Sequence, residues 1–251
     1  VTAAAAHVVV TGAGNPITLA AHGLGASVAE TRPLLSGVAG RRVFYAARGH
    51  AGDVPETFTY RDLGDDLLRI ADEHGATRAL GVSMGAGVLL SVLARQPDRF
   101  DKVVCFLPGA LDRPRTDDAV RRFADLVAAL QAHDLEAVQR FVSAELPAEL
   151  RGAASAYVAS RARFLLASPG IPVVVSSLPP VTPVDDRASL GAVSADVLVL
   201  AQEGDPLHPA QVGRDLAAAL PKARLVVFDR PGVVLRERAR LRALITAFFN
   251  D

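Results

Sequence analysis

Apolar residues along this chain fall into two rhythms. Short, almost continuous apolar runs occur at 7–10 (HVVV), 17–23 (ITLAAHG), 41–48 (RRVFYAAR), 78–82 (RALGV), 102–107 (KVVCFL), 196–202 (DVLVLAQ) and 224–229 (RLVVFD). Runs that are apolar throughout, and do not alternate with polar positions, predict strands covered on both faces. Between them the spacing changes to three and four. Over 60–73, Leu63, Leu67, Ile70 and Ala71 share one face, with Thr59 and Asp62 spaced as a capping box before it. Leu241, Leu244, Ile245 and Phe248 form a second stripe near the end. The alternation predicts an α/β fold with a mostly parallel central sheet flanked by helices.

The alternation stops between Leu111 and about Pro180. There Val120, Phe123, Val127 and Leu130 fall on one helical face, further helical stretches follow at 134–145 and 148–167, and SSLPPVTP leads back to the sheet pattern. The expected organisation is a core of residues 1–110 and 181–251 with a helical cap, 111–180, inserted between its halves. Insertions over the strand ends are where pockets form in open sheets. The glycines of TGAGNP at 11–16 precede a strand and not a helix, so a hairpin turn is expected there and not a phosphate loop.

The stretch most telling for chemistry is GVSMGAG, residues 81–87. It sets Ser83 in a G-x-S-x-G pattern between the strand 78–82 and the helix-like run GVLLSVLARQ. A serine on such a sharp strand-to-helix turn stands above the sheet at the positive end of a helix, with small neighbours letting strand and helix approach. Asp205 follows the apolar strand VLVLA beside Gly204 and Pro206, which places a carboxylate at the carboxyl edge of the sheet. The ordinary reading of such an aspartate is a cap for the next helix.

Along nearly its whole length the chain resembles the α/β-hydrolase superfamily. The matching pieces come in the family's order: AHGLGAS at 21–27, ARGHAGD at 47–53, GVSMG at 81–85, RQPDRFDKVV at 95–104 and LVLAQEGDPLHP at 198–209. The resemblance implies that Ser83 is the nucleophile and Asp205 the triad acid, and that the backbone N–H groups of Leu24 and Met84 form an oxyanion hole. It assigns His22 to holding the oxyanion loop.

The family places its histidine in the turn after the last strand. Here that turn reads FDRPGVVLRER; Val233 or Val234 stands where the imidazole is expected, and no histidine follows His208. Valine accepts no proton, so the usual relay cannot be assembled as the family builds it. Three explanations stay open: His208, three residues beyond Asp205, or else His50, acts as the base; the substrate or acceptor supplies one; or the site has lost chemistry and binds a ligand. If the base is absent, simple nitrophenyl esters are hydrolysed slowly, and Val233→His raises the rate.

Composition narrows the partners. The chain has 251 residues, half of them hydrophobic, enough for one large core with an insertion. Basic and acidic residues balance at 27 each, with no basic stripe for nucleic acid and no basic amphipathic helix for an anionic membrane. The single cysteine, Cys105, excludes an internal disulfide framework and reads as a small core residue. Arg230, Arg236 and Glu237 beside the altered turn read as surface charge. No His, Cys, Asp or Glu spacing suggests a metal, and no cofactor is implied. The amino terminus VTAAAAHVVV lacks signal-peptide character, and no run approaches the roughly 20 apolar residues of a membrane span; a cytoplasmic protein is expected. The expected activity is acyl transfer from an ester or thioester through acyl-Ser83. A specialised acyltransferase or thioesterase of secondary metabolism, with a free or carrier-bound acyl substrate, is the refinement. A non-catalytic binding protein is the competing class.

Overall fold

In a computed structural model of the chain, residues 7–56, 58–116, 118–178 and 180–251 are described. The amino-terminal residues 1–6, with Thr57, Asp117 and Pro179, lie outside that description. Seven strands form one sheet: β1 (Val8–Thr11), β2 (Ile17–Ala21), β3 (Arg41–Tyr45), β4 (Arg78–Val82), β5 (Lys102–Phe106), β6 (Asp196–Gln202) and β7 (Ala223–Phe228). Their order across the sheet is β1-β3-β2-β4-β5-β6-β7, and every pair is parallel except β1 with β3. All of β2, and β6 from Val197 onward, are buried, which is why those strands are continuous apolar runs and not alternating ones.

One expectation fails. β1 and β2 do not form a hairpin, because β3 lies between them. Residues 12–16 instead pass around the start of β3: the Arg41 N–H donates to the carbonyls of Gly14 and Pro16. The close approach explains a glycine at position 12. It has φ +75°, and a Cβ there would lie 2.3 Å from the Gly40 carbonyl oxygen.

The helices α1 (Val28–Thr31), α2 (Tyr60–His74), α3 (Met84–Arg95), α4 (Asp118–Gln131), α5 (Leu135–Ala144), α6 (Ser155–Ala167), α7 (Ile171–Ser177), α8 (Ala210–Ala219), α9 (Val233–Arg236) and α10 (Arg238–Asn250) complete the chain. α2 begins as its sequence predicts. The Thr59 hydroxyl accepts from the Asp62 N–H at 3.1 Å and the Asp62 carboxylate accepts from the Thr59 N–H at 3.1 Å; Gly75 ends the helix with φ 69°. Leu63 and Leu67 of α2, Val88 and Leu89 of α3 and Leu216 of α8 join the core on one face of the sheet. Leu34 and Leu35, with Leu241, Ile245 and Phe249 of α10, cover the other.

Between β5 and β6 the chain makes α4–α7, whose inward faces form a third cluster from Leu126, Leu130, Val138, Val142, Leu165 and Ile171. The stripe on α4 is rotated from the expected one. Leu130 is buried, but Val120, Phe123 and Val127 are half-buried, and Leu126 and Ala129 take the innermost places. The stretch 148–167 is broken into a 3-10 turn, Ala148–Leu150, and α6. Among the described residues no single helix is long and apolar enough to cross a membrane.

Candidate active site

The loops after β2, β4 and β6 converge at the carboxyl edge of the sheet, where open parallel sheets hold ligands. Ser83, immediately after β4, has φ 51° and ψ −109°, a conformation rare for a residue with a side chain. Its neighbours make that turn possible: a Cβ at Gly81 would lie 2.3 Å from the Gly85 carbonyl oxygen, and one at Gly85 would lie 2.3 Å from that of Ala21. Met84 is the first residue of α3, so its N–H has no acceptor within the helix.

The loop after β6 brings Asp205 and His208 together beside Ser83. His208 Nε2 lies 2.9 Å from Ser83 Oγ, and His208 Nδ1 lies 2.9 Å from Asp205 Oδ2. An ionised carboxylate only accepts, so Nδ1 carries the proton and Nε2 is left to accept from the Ser83 hydroxyl. Asp205 Oδ1 also accepts from the N–H groups of Leu207 at 2.8 Å and His208 at 3.1 Å. Burial opposes the charged carboxylate, but hydrogen bonds and charge from His208, with hydrogen bonds from Gln202 and Leu207, hold Asp205 well below the usual carboxylate range. Arg115 fixes the outer side of the loop by donating to the carbonyls of Leu207 and Pro206.

The turn that lacks histidine is wired to this loop by a residue that the sequence reading passed over. Gln202 Nε2 donates to Asp205 Oδ2 at 2.6 Å, while Gln202 Oε1 accepts from the Val233 N–H at 3.0 Å. The Gln202 amide therefore spans between the carboxylate and the last turn. Its only sequence signal is a polar side chain ending an apolar strand three residues before the acid. Val233 is 1% exposed and belongs to the cluster containing Phe228 and Leu241, whereas Val234 is 45% exposed. Arg236 in the same turn pairs with Glu149.

The other histidines near the site are engaged elsewhere. His50 Nε2 accepts from the Gly25 N–H at 2.9 Å, and His22 Nε2 accepts from the Ala47 N–H at 3.0 Å. The Nδ1–H groups face the Arg48 and Gly23 carbonyls. The two rings meet edge to face with centroids 4.7 Å apart. With Arg161 donating to the Leu24 carbonyl at 3.2 Å, three side chains clamp the loop that carries the Leu24 amide. His50 is thus not within the Ser83 relay. Cys105 is buried, and burial pushes its thiol up to about 12.

Burial, followed by the neighbouring His22, lowers the His50 pKa from its ordinary 6.5 to about 3; burial also lowers that of His22. In the interval below 6.5 the unfolded chain binds protons that the folded chain refuses, so stability falls as pH falls. A histidine held neutral in this way costs about 1.4 kcal/mol per pH unit. Urea melts should lose stability steeply already between pH 6.5 and 4.5, above the range where an unfolded aspartate titrates. His50→Gln, which keeps an acceptor for Gly25, should flatten that slope; an unchanged slope would exclude His50 as its source.

Ser83, Asp205, His208, Leu24 and Met84 all line one cavity of about 450 Å³, together with Phe123, Leu126 and Phe141 from the inserted helices. A sequence model of the alpha/beta hydrolase fold matches residues 19–232. A protein of Caulobacter segnis called "Putative carbamate hydrolase RutD" is 27% identical over 226 residues, covering 84% of this chain and 82% of its own. A protein of the same name from Pseudomonas savastanoi is 29% identical over 196 residues, covering 73% of each. The enol-lactonase of Burkholderia xenovorans superposes with a TM-score of 0.82 at 22% identity, over 98% of this chain and 96% of its own. A thermophilic esterase of Thermogutta terrifontis superposes with a TM-score of 0.80 at 19% identity, over 98% and 93%.

Proposed function

Since the chain belongs to the alpha/beta hydrolase fold family, we propose that it is a serine esterase working through acyl-Ser83, with His208 as general base and Asp205 as its orienting acid. The carrying observation is the unbroken relay from Ser83 Oγ to His208 to Asp205, both steps at 2.9 Å. His208 Nε2 takes the Ser83 proton as Oγ bonds to the substrate carbonyl carbon. The carbonyl oxygen becomes an oxyanion received by the Leu24 and Met84 N–H groups. As the tetrahedral species collapses, the bond to the leaving oxygen breaks and His208 returns the proton to it. Water then attacks acyl-Ser83, losing its proton to His208, and the acid leaves as Ser83 recovers its hydrogen.

The inserted segment 111–180 acts as the cap that closes the acyl pocket with apolar side chains. Transfer to a special acceptor, or action on a thioester held by a carrier, would suit a site that lacks a base. A base hydrogen-bonded to Ser83 favours ordinary hydrolysis, because it can activate water as well as serine. The same relay weighs against a purely ligand-binding protein.

A fluorophosphonate probe should label the natural protein stoichiometrically, with the added mass on the peptide containing Ser83, and should leave Ser83→Ala unlabelled. Labelling at another residue, or none under conditions where the protein is folded, would sink the acyl-enzyme reading.

A further inference from the structure

Besides Ser83, Asp205 and His208 the cavity carries other polar side chains, among them Arg115, Arg238 and Arg242, and one pair lies under the inserted helices. Glu145, which caps the end of α5, and Arg161 of α6 line the same cavity as Ser83 and His208. Arg161 is almost fully committed. Its Nη1 donates to both Glu30 carboxylate oxygens, at 3.1 and 2.9 Å, and its Nη2 to the Leu24 carbonyl at 3.2 Å. Its Nε is buried and makes no hydrogen bond. Glu145 Oε2 lies 3.7 Å from that Nε, an ion-pair distance too long for a hydrogen bond. Among the described residues, no hydrogen bond reaches the Glu145 carboxylate either. Burial raises the pKa of Glu145, against the lowering effect of Arg161.

A buried donor left without a partner is costly, and the Arg161 Nε–H and the partly exposed Glu145 carboxylate are both satisfied by a group that can accept from one and donate to the other. We propose that Arg161 Nε–H and the Glu145 carboxylate form a subsite for an uncharged donor–acceptor group, a carboxamide or hydroxyl, on the substrate portion lying under the cap. The proposal rests on the esterase reading for its substrate but not for its binding. Charge sets its sign. A carboxylate would meet Glu30 and Glu145, with Arg161 already pairing Glu30. An ammonium would meet the Arg161 guanidinium. A hydrocarbon leaves both polar groups unsatisfied, and sites built for hydrogen bonding discriminate strongly against such analogues.

The test uses nitrophenyl esters whose acyl chains of four to six carbons end in carboxamide, methyl or carboxylate. In the natural protein the carboxamide ester should exceed its methyl counterpart in kcat/KM by about tenfold or more at the chain length that reaches the subsite, and the carboxylate ester should be the poorest. Glu145→Ala should bring the carboxamide-to-methyl ratio close to one; a ratio within one protein cancels any general loss of activity. Glu145→Gln, which removes the charge and keeps the shape, should raise the carboxylate ester relative to the methyl ester. The same ratios should appear in dissociation constants measured with Ser83→Ala, so that a protein inactive on every ester would refute the acyl-enzyme reading while still reporting on the subsite. Equal binding of carboxamide and methyl esters to Ser83→Ala, or a preference that survives Glu145→Ala, would overturn the proposal.

Discussion

His208→Ala, Asp205→Ala and the double variant are expected to lose nitrophenyl ester hydrolysis to nearly the same depth, about a hundred- to ten-thousand-fold below the natural protein. The equality is the informative part. In the proposed relay His208 accepts the Ser83 proton through Nε2 only while Asp205 holds Nδ1–H, and both contacts are 2.9 Å. Removing the carboxylate frees the ring to turn or to change tautomer, so the imidazole that remains is of little use. Groups that act as one unit give losses far from additive. The losses should fall on kcat more than on KM, because neither residue is asked to bind the acyl chain. If His208→Ala were unimpaired, the relay would be incidental. If the double variant lost the product of the two single losses, Asp205 and His208 would be working separately.

Val233→His is expected to gain nothing and to cost stability. From sequence alone, this substitution looked like the repair of a missing base. The structure reverses the expectation for two reasons. His208 already occupies the space between Ser83 and Asp205. Val233 is buried in an apolar cluster, and the gap to Asp205 is filled by Gln202. An imidazole at 233 would replace apolar packing with a polar ring lacking a ready partner, a loss of about 1–3 kcal/mol. Ester hydrolysis should not rise above that of the natural protein. In the His208→Ala background, Val233→His should fail to restore the lost rate, since Gln202 holds the oxygen that the new ring would need. Chemical melts and nitrophenyl acetate kinetics on both variants check this. Rescue of His208→Ala by Val233→His would mean that Gln202 yields its place.

Much of this arrangement was legible in the residues. Apolar runs marked every strand, and in the central ones they are continuous because a parallel sheet covered on both faces needs no polar side. The small residues around Ser83 marked the elbow, because the crossing of β4, α3 and β2 leaves no space for a Cβ at Gly81 or Gly85. Other features lay beyond one-dimensional reasoning. The place of β1 beyond β3 depends on which edge the first strand finds, and TGAGNP suits a hairpin and a wrap equally. The candidate for the base could be narrowed to His208 or His50 but not chosen, because the choice turns on where two rings point: His50 toward the Gly25 N–H, His208 toward Ser83. Gln202, Glu145 and Arg161 carry no local motif. Their meaning comes from residues 3 to 137 positions away, brought near by the fold.

Placing the proposed acid and base three residues apart changes what motion can damage. Were the two carried on separate strands, any slip between those strands would open the carboxylate–imidazole bond first. Here Asp205 and His208 ride on one short loop, itself strapped by Arg115 and Gln202. A displacement of β6 against its neighbours carries the pair as a single body. The contact that such a slip stretches is the one to Ser83, which stands on β4, two strands away across β5. Breathing of the sheet would therefore act as a clutch between Ser83 and His208, with the orientation of the imidazole preserved.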